Sequence, residues 1–150
     1  MTSIHIRNDQ DCIIITILGR VHPNSSDYWD ANWLSCTLEV SLQAKSTLVN
    51  GQLRNEDLVR FISTLKNMLI SKDAMGLLDV LDGWLDIQFN RKDIMILVDC
   101  HLENIYGNGD VNDYAFVIDD NAIKTIIDEA SLAISLFPVL FMVPPDERHS

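Results

Sequence analysis

No stretch of the chain is apolar for long enough to cross a bilayer as a helix. The longest candidate, Leu132 to Val143, falls short of the ~18 residues a span needs and is interrupted by Ser135 and Pro138. The opening residues Met1-Thr2-Ser3-Ile4-His5 carry no basic run and no long apolar run, so no signal peptide is expected. Cysteine is scarce: Cys12, Cys36 and Cys100 sit in apolar runs, with no Cys-x-x-Cys pair and no even count. That pattern favours free buried thiols over disulfides or a zinc site. These absences predict a cytoplasmic protein. Positive charge is also short, with 11 Lys and Arg against 22 Asp and Glu and a formal net charge of −11. Such a surface repels phosphate backbones and anionic lipid heads, which excludes nucleic acid and membrane as favoured partners. It attracts a basic protein, or else serves solubility alone.

What remains is ordinary globular material, 150 residues with 47% hydrophobic and 22% charged residues. That length fits one domain without a metal or disulfide staple. The expected organisation is a single α+β domain over residues 1–143 and a flexible tail over 144–150, with no linker, low-complexity tract or internal repeat. Residues 3–7 and 12–18 read as two strands around the polar turn 8–11. Residues 20–30, with Pro23, Asn24, Ser25 and Ser26, have loop composition.

The clearest period follows. Leu34, Cys36, Leu38, Val40, Leu42 and Ala44 alternate with Trp33, Ser35, Thr37, Glu39, Ser41 and Gln43, which predicts a long strand with one buried face. Asn50-Gly51 suggests a tight turn. Asn55-Glu56-Asp57 opens a helix whose apolar face is Leu58, Phe61, Ile62, Leu65, Met68 and Leu69. Residues 77–83 are ambiguous between strand and short helix. Residues 84–89 and 93–103 read as a hairpin around 90–92, with Ile94, Ile96, Val98, Cys100 and Leu102 inward and Asp99, His101 and Glu103 outward. A short strand at 114–118 leads to a second helix, capped by Asp119-Asp120-Asn121 and closed at Pro138. The expected architecture is a mostly antiparallel sheet with two amphipathic helices packed on one face, leaving the other sheet face open.

Catalytic patterns are wanting. There is no Gly-x-Ser-x-Gly elbow, and Gly107-Asn108-Gly109 is followed by acids and a strand, without the Lys and helix a phosphate cradle uses. Asn108, Asp110, Asn112 and Asp119 fit part of a calcium-loop count, but Asp113 stands where the sharp turn wants Gly. No metal, cofactor or catalytic residue is therefore expected. Asp99, His101 and Glu103, with Asp86 and Gln88 across the hairpin, form the one acid–base cluster on a strand face. An open face lacks the dry concavity that shifts pKa values, so a partner-facing or solvated patch is the better reading. Glu39 is expected on the same open face.

The most individual stretch is Asp27-Tyr28-Trp29-Asp30-Ala31-Asn32-Trp33-Leu34. Its aromatics either anchor the loop to the sheet edge, with Asp30 or Asn32 tying the turn, or make an interface hot spot from Asp27, Trp29, Asp30 and Trp33. This segment, running into the alternating strand, resembles the signature of the WapI family of immunity proteins, with Ala31 where the family usually has Gly. The looser likeness spans about residues 10–140. The resemblance implies a bacterial intracellular antidote, without catalytic activity, that neutralises a cognate toxin encoded beside it. A basic nuclease domain would suit the acidity, and a monomer or weak dimer is expected. The alternative is a regulatory or accessory domain that binds some other protein.

Overall fold

The computed structural model describes residues 1–105 and 107–141; the tail expected at 144–150, with His149, lies outside them. The chain runs β1 (Thr2–Arg7), β2 (Cys12–Arg20), α1 (Tyr28–Ala31), β3 (Trp33–Leu42), β4 (Lys45–Arg54) and α2 (Asn55–Ile70). It continues with β5 (Gly76–Asp79), β6 (Leu85–Lys92), β7 (Met95–Glu103), β8 (Val111–Ile118) and α3 (Asp120–Leu136). This is an α+β fold with two antiparallel sheets, ordered β1-β2-β3-β4 and β5-β6-β7-β8. A four-strand meander followed by a long helix thus occurs twice, a repeat of topology that the residues themselves do not display.

The expected single sheet under two helices is corrected to two sheets that share one core. Ile4, Ile15, Leu38 and Val40 of the first sheet join Ile87, Phe89, Val98 and Phe116 of the second in one buried cluster. Leu58, Phe61 and Leu65 of α2 and Ile123, Ile126 and Ala130 of α3 belong to it too. The helices lie at sheet edges: α2 packs against β5, α3 against β1, and the two against each other. Two-residue alternation says that a strand face is buried, not what buries it. Leu38 and Val40 are buried while Thr37 and Glu39 are half-exposed, which places β3 in the register the alternation predicts.

Three local expectations are also corrected. Asn50-Gly51 lies inside β4, and the β3–β4 turn is Gln43-Ala44, whose φ angles of 51° and 67° are the left-handed pair a two-residue hairpin loop requires. The β6–β7 turn is Asp93-Ile94, one step beyond 90–92, so Ile94 is 84% exposed and outside the core. At the start of α2 the capping carboxylate is Asp57, which accepts the Arg54 backbone N–H at 2.9 Å. Asn55 is instead fully buried. Asp119 does cap α3, accepting the Ala122 N–H at 2.9 Å.

Candidate functional site

The residues singled out in the sequence fall into two clusters. The first is built around the Trp-rich segment. Asp27 is the N-cap of α1, accepting the Asp30 N–H at 3.0 Å. Asn32 is fully buried; its amide donates to the carbonyls of Tyr28 at 2.7 Å and Leu140 at 2.8 Å and accepts from Asn55 at 3.1 Å. Trp29 and Trp33 meet edge to face with centroids 5.8 Å apart. Over them sits Arg54, only 3% exposed, with its guanidinium carbon 4.1 Å from the Trp29 ring centre and 5.4 Å from those of Tyr28 and Trp33.

Arg54 donates to the Trp29 carbonyl at 2.6 Å and to Glu56 at 2.7 and 3.1 Å. The Tyr28 hydroxyl also donates to Glu56. Burial pushes the Glu56 carboxyl up, but the Tyr28 hydroxyl and Arg54 outweigh it and hold the group below its ordinary range. The segment is thus tied to α2 from within, while Trp29 remains 50% exposed and Asp27 and Asp30 face solvent. Arg54 is the organising residue here, and nothing in its immediate sequence marks it.

The second cluster is the outer face of sheet β5–β8. Strand register aligns Asp79, Asp86, His101 and Asp113 across all four strands, and beside them Gln88, Asp99 and Ala115. Cross-strand neighbours at ~5 Å interact directly. His101 Nδ1 and Asp113 Oδ1 are 2.6 Å apart. Glu103 extends the acidic surface at the end of β7. The sequence brought Asp86, Asp99, His101 and Glu103 to this face correctly but missed Asp79 and Asp113, because β5 and the first half of β8 lacked a readable period. Glu39 does not belong to it; β3 is in the other sheet, where Glu39 pairs with Ile14 and Leu48.

This face is a shallow concavity of about 240 Å³ lined by Asp86, Gln88, Asp99, His101, Asp113 and Tyr114. Burial pushes the Asp86 carboxyl up, and Asp79 adds to the shift while His101 opposes it. A carboxyl raised in the folded state weighs against folding once it ionises. That burden is absent below the unfolded pKa and grows as pH rises through the folded value. Asp86→Asn should therefore melt at a modestly higher temperature than the wild type at pH 7 and gain nothing near pH 3, as read by thermal unfolding across pH.

Other chemistry is sparse. Cys36 and Cys100 are free and buried, their thiols pushed up to about 12 by burial, so neither is a poised nucleophile. Cys12 is free and half-buried. In the loop weighed for calcium, Asn108 is spent on turn bonds to Asp110 at 2.8 and 3.1 Å. Among the described residues no group of three or more His, Cys, Asp or Glu side chains is placed to hold a metal ion, and no helix is long and apolar enough to cross a membrane.

Compared with known proteins, the chain finds no match among curated sequences. A family model, that of the immunity protein WapI-like family, matches residues 4–138. That span takes in both sheets, all three helices and the whole aromatic segment, and the chain therefore belongs to the WapI-like family of immunity proteins.

Proposed function

We propose that this protein is an antidote that binds a cognate toxin domain and blocks it, with no catalytic activity of its own. Family membership supplies the class of role. The observation that carries the mechanism is the acidic outer face of β5–β8, where exposed Asp79, Asp99 and Asp113 and half-buried Asp86 and Glu103 surround one histidine. Such a face suits a toxin whose active-site surroundings are basic, as a nuclease cleft is, and would exclude an anionic substrate by both charge and bulk. The test is co-expression with the toxin domain encoded in the neighbouring reading frame. Rescue of growth together with co-purification supports the reading, and growth arrest without any complex rejects it.

Charge as mechanism has its own kinetic signature. Association of the pair should slow markedly between low and physiological salt while dissociation changes less, because screening acts on encounter. Neutralising Asp86, Asp99 and Glu103 together should lower the on-rate about tenfold at low salt, whereas Glu39→Gln on the other sheet should leave it unchanged. If the triple variant associates normally and Asp30→Asn or Trp29→Ala abolishes binding, the interface is the aromatic segment.

A further inference from the structure

The two sheets have four edges, and they are treated differently. α3 packs on β1 and α2 on β5, while the Trp84 indole N–H bonds the Gln52 carbonyl of β4 at 2.7 Å. β8 ends its sheet. Two hydrogen bonds set the phase of its backbone. Asn104 N–H donates to the Asp110 carbonyl at 2.8 Å, so Asp110 and every second residue after it bond towards β7. Asn8 Nδ2 reaches the Val117 carbonyl at 2.8 Å from the opposite side. Val111, Asp113 and Ala115 therefore turn both N–H and C=O away from the sheet, and among the described residues no hydrogen bond meets them. β8 carries no Lys, Pro or bulge, the usual devices that blunt an edge.

We infer that an extended segment of the toxin adds to β8 as a fifth strand of this sheet; the inference rests on the antidote reading above. Alternating side chains of such a strand would meet two different surroundings. Those on the outer face stand beside Asp113, with Asp99 one strand further in, and charge complementarity there selects Lys or Arg. Those on the inner face reach a groove of about 450 Å³ between β8 and the β3–β4 hairpin, where Val40, Leu42 and Tyr114 alternate with the polar Gln43, Lys45, Thr47 and Asn112, which takes small uncharged side chains. The occupant is thus a segment alternating basic and small uncharged residues. The free stretch of β4 fits it worse, since Leu48 has only Glu39 as an acidic neighbour across the pair.

Proline substitution tests the pairing without touching the bonds to β7. Ala115→Pro deletes an outward N–H and obstructs strand addition, and an edge position tolerates it. With the neighbouring toxin domain as the probe in calorimetric titration, Ala115→Pro should weaken Kd by about tenfold or more at an unchanged melting temperature. Leu48→Pro on β4 should bind as the wild type. Full affinity in Ala115→Pro overturns edge pairing and leaves the antidote reading standing, and a loss confined to Leu48→Pro moves the pairing to β4 and overturns it here. A wild type that binds no toxin removes both readings. Should Ala115→Pro fail to fold, hydrogen exchange on the wild-type complex decides. The Asp113 and Ala115 amides should slow on binding, and unchanged exchange at both overturns the proposal.

Discussion

Truncation of Trp84 to alanine should destabilise the protein by about 3–5 kcal/mol in urea unfolding, the range for deleting a buried indole from a packed core. Trp84 is fully buried in the β5–β6 connection, and its ring lies flat against the backbone of β4. A Cβ placed on Gly51 would come within 2.3 Å of the indole. The ring N–H is also bonded to the Gln52 carbonyl at 2.7 Å, so one side chain joins the second sheet to the first by both packing and a hydrogen bond. The reverse substitution follows from the same contact. Gly51→Ala should cost about 1–3 kcal/mol by overpacking, since the atoms it meets belong to a rigid ring with no free end to move. In a Trp84→Ala background the added methyl has room, and its cost should largely vanish; two residues in contact couple in this way. An equal cost of Gly51→Ala in both backgrounds would mean that the glycine is needed for its backbone and not for the ring.

That contact also explains why Asn50-Gly51 misleads when read from sequence. The pair has hairpin-loop chemistry, but a glycine inside a strand equally marks a place where another group approaches the backbone. Choosing between them needs the position of Trp84, 33 residues away in the chain. The actual loop, Gln43-Ala44, carries no glycine and pays its left-handed φ values against strand pairing on either side. Strands β1, β2 and β3 and both long helices were legible because their apolar residues recur at the period of the element. The split into two sheets was not, because alternation along β3 is the same whether a helix layer or another sheet covers the face. Reading residues 77–83 as a strand would have exposed the recurrence of four strands and a helix. β5 has only four residues, too few to display a period.

The site shows the same division. Asp99, His101 and Glu103 could be placed on one face from β7 alone, and Asp86 from the hairpin register, since both are local facts. Asp79 and Asp113 reach that face only through the pairing of the outer strands. Glu39 was misplaced because a face assignment holds within one sheet and says nothing about a second. In the aromatic segment the composition announced that something was anchored there but not the anchor. Arg54 lies 21 residues beyond Trp33, at a strand–helix junction, and meets the aromatics because β3 and β4 form a hairpin that pairs Trp33 with Arg54 directly.

Replacing Arg54 is accordingly expected to loosen the whole segment. Arg54→Ala should cost about 2–4 kcal/mol, below the full penalty for breaking a buried ion pair because Glu56 keeps 30% side-chain exposure. The loss has three parts: the carbonyl of Trp29 and one Glu56 oxygen lose their donors, and the three rings lose the cation they surround. Arg54→Lys should recover only part of it, because an ammonium cannot reach Glu56 and the Trp29 carbonyl together while stacking on the indole. Glu56 sets the pH dependence. Its folded-state pKa is held low, so its contribution is present above the unfolded value and fades as pH falls through the folded one. The stability gap between wild type and Arg54→Ala should therefore be widest near neutrality and narrow in acid, and a gap constant from pH 7 to pH 3 would assign the effect to packing alone. Arg54→Met, which keeps bulk without charge, separates scaffold from interface. If the segment is scaffold, toxin affinity measured below the melting range should track the loss of stability and Trp29 fluorescence should shift red. A variant that stays stable and folded yet no longer binds would instead make the exposed half of Trp29 part of the toxin-binding surface.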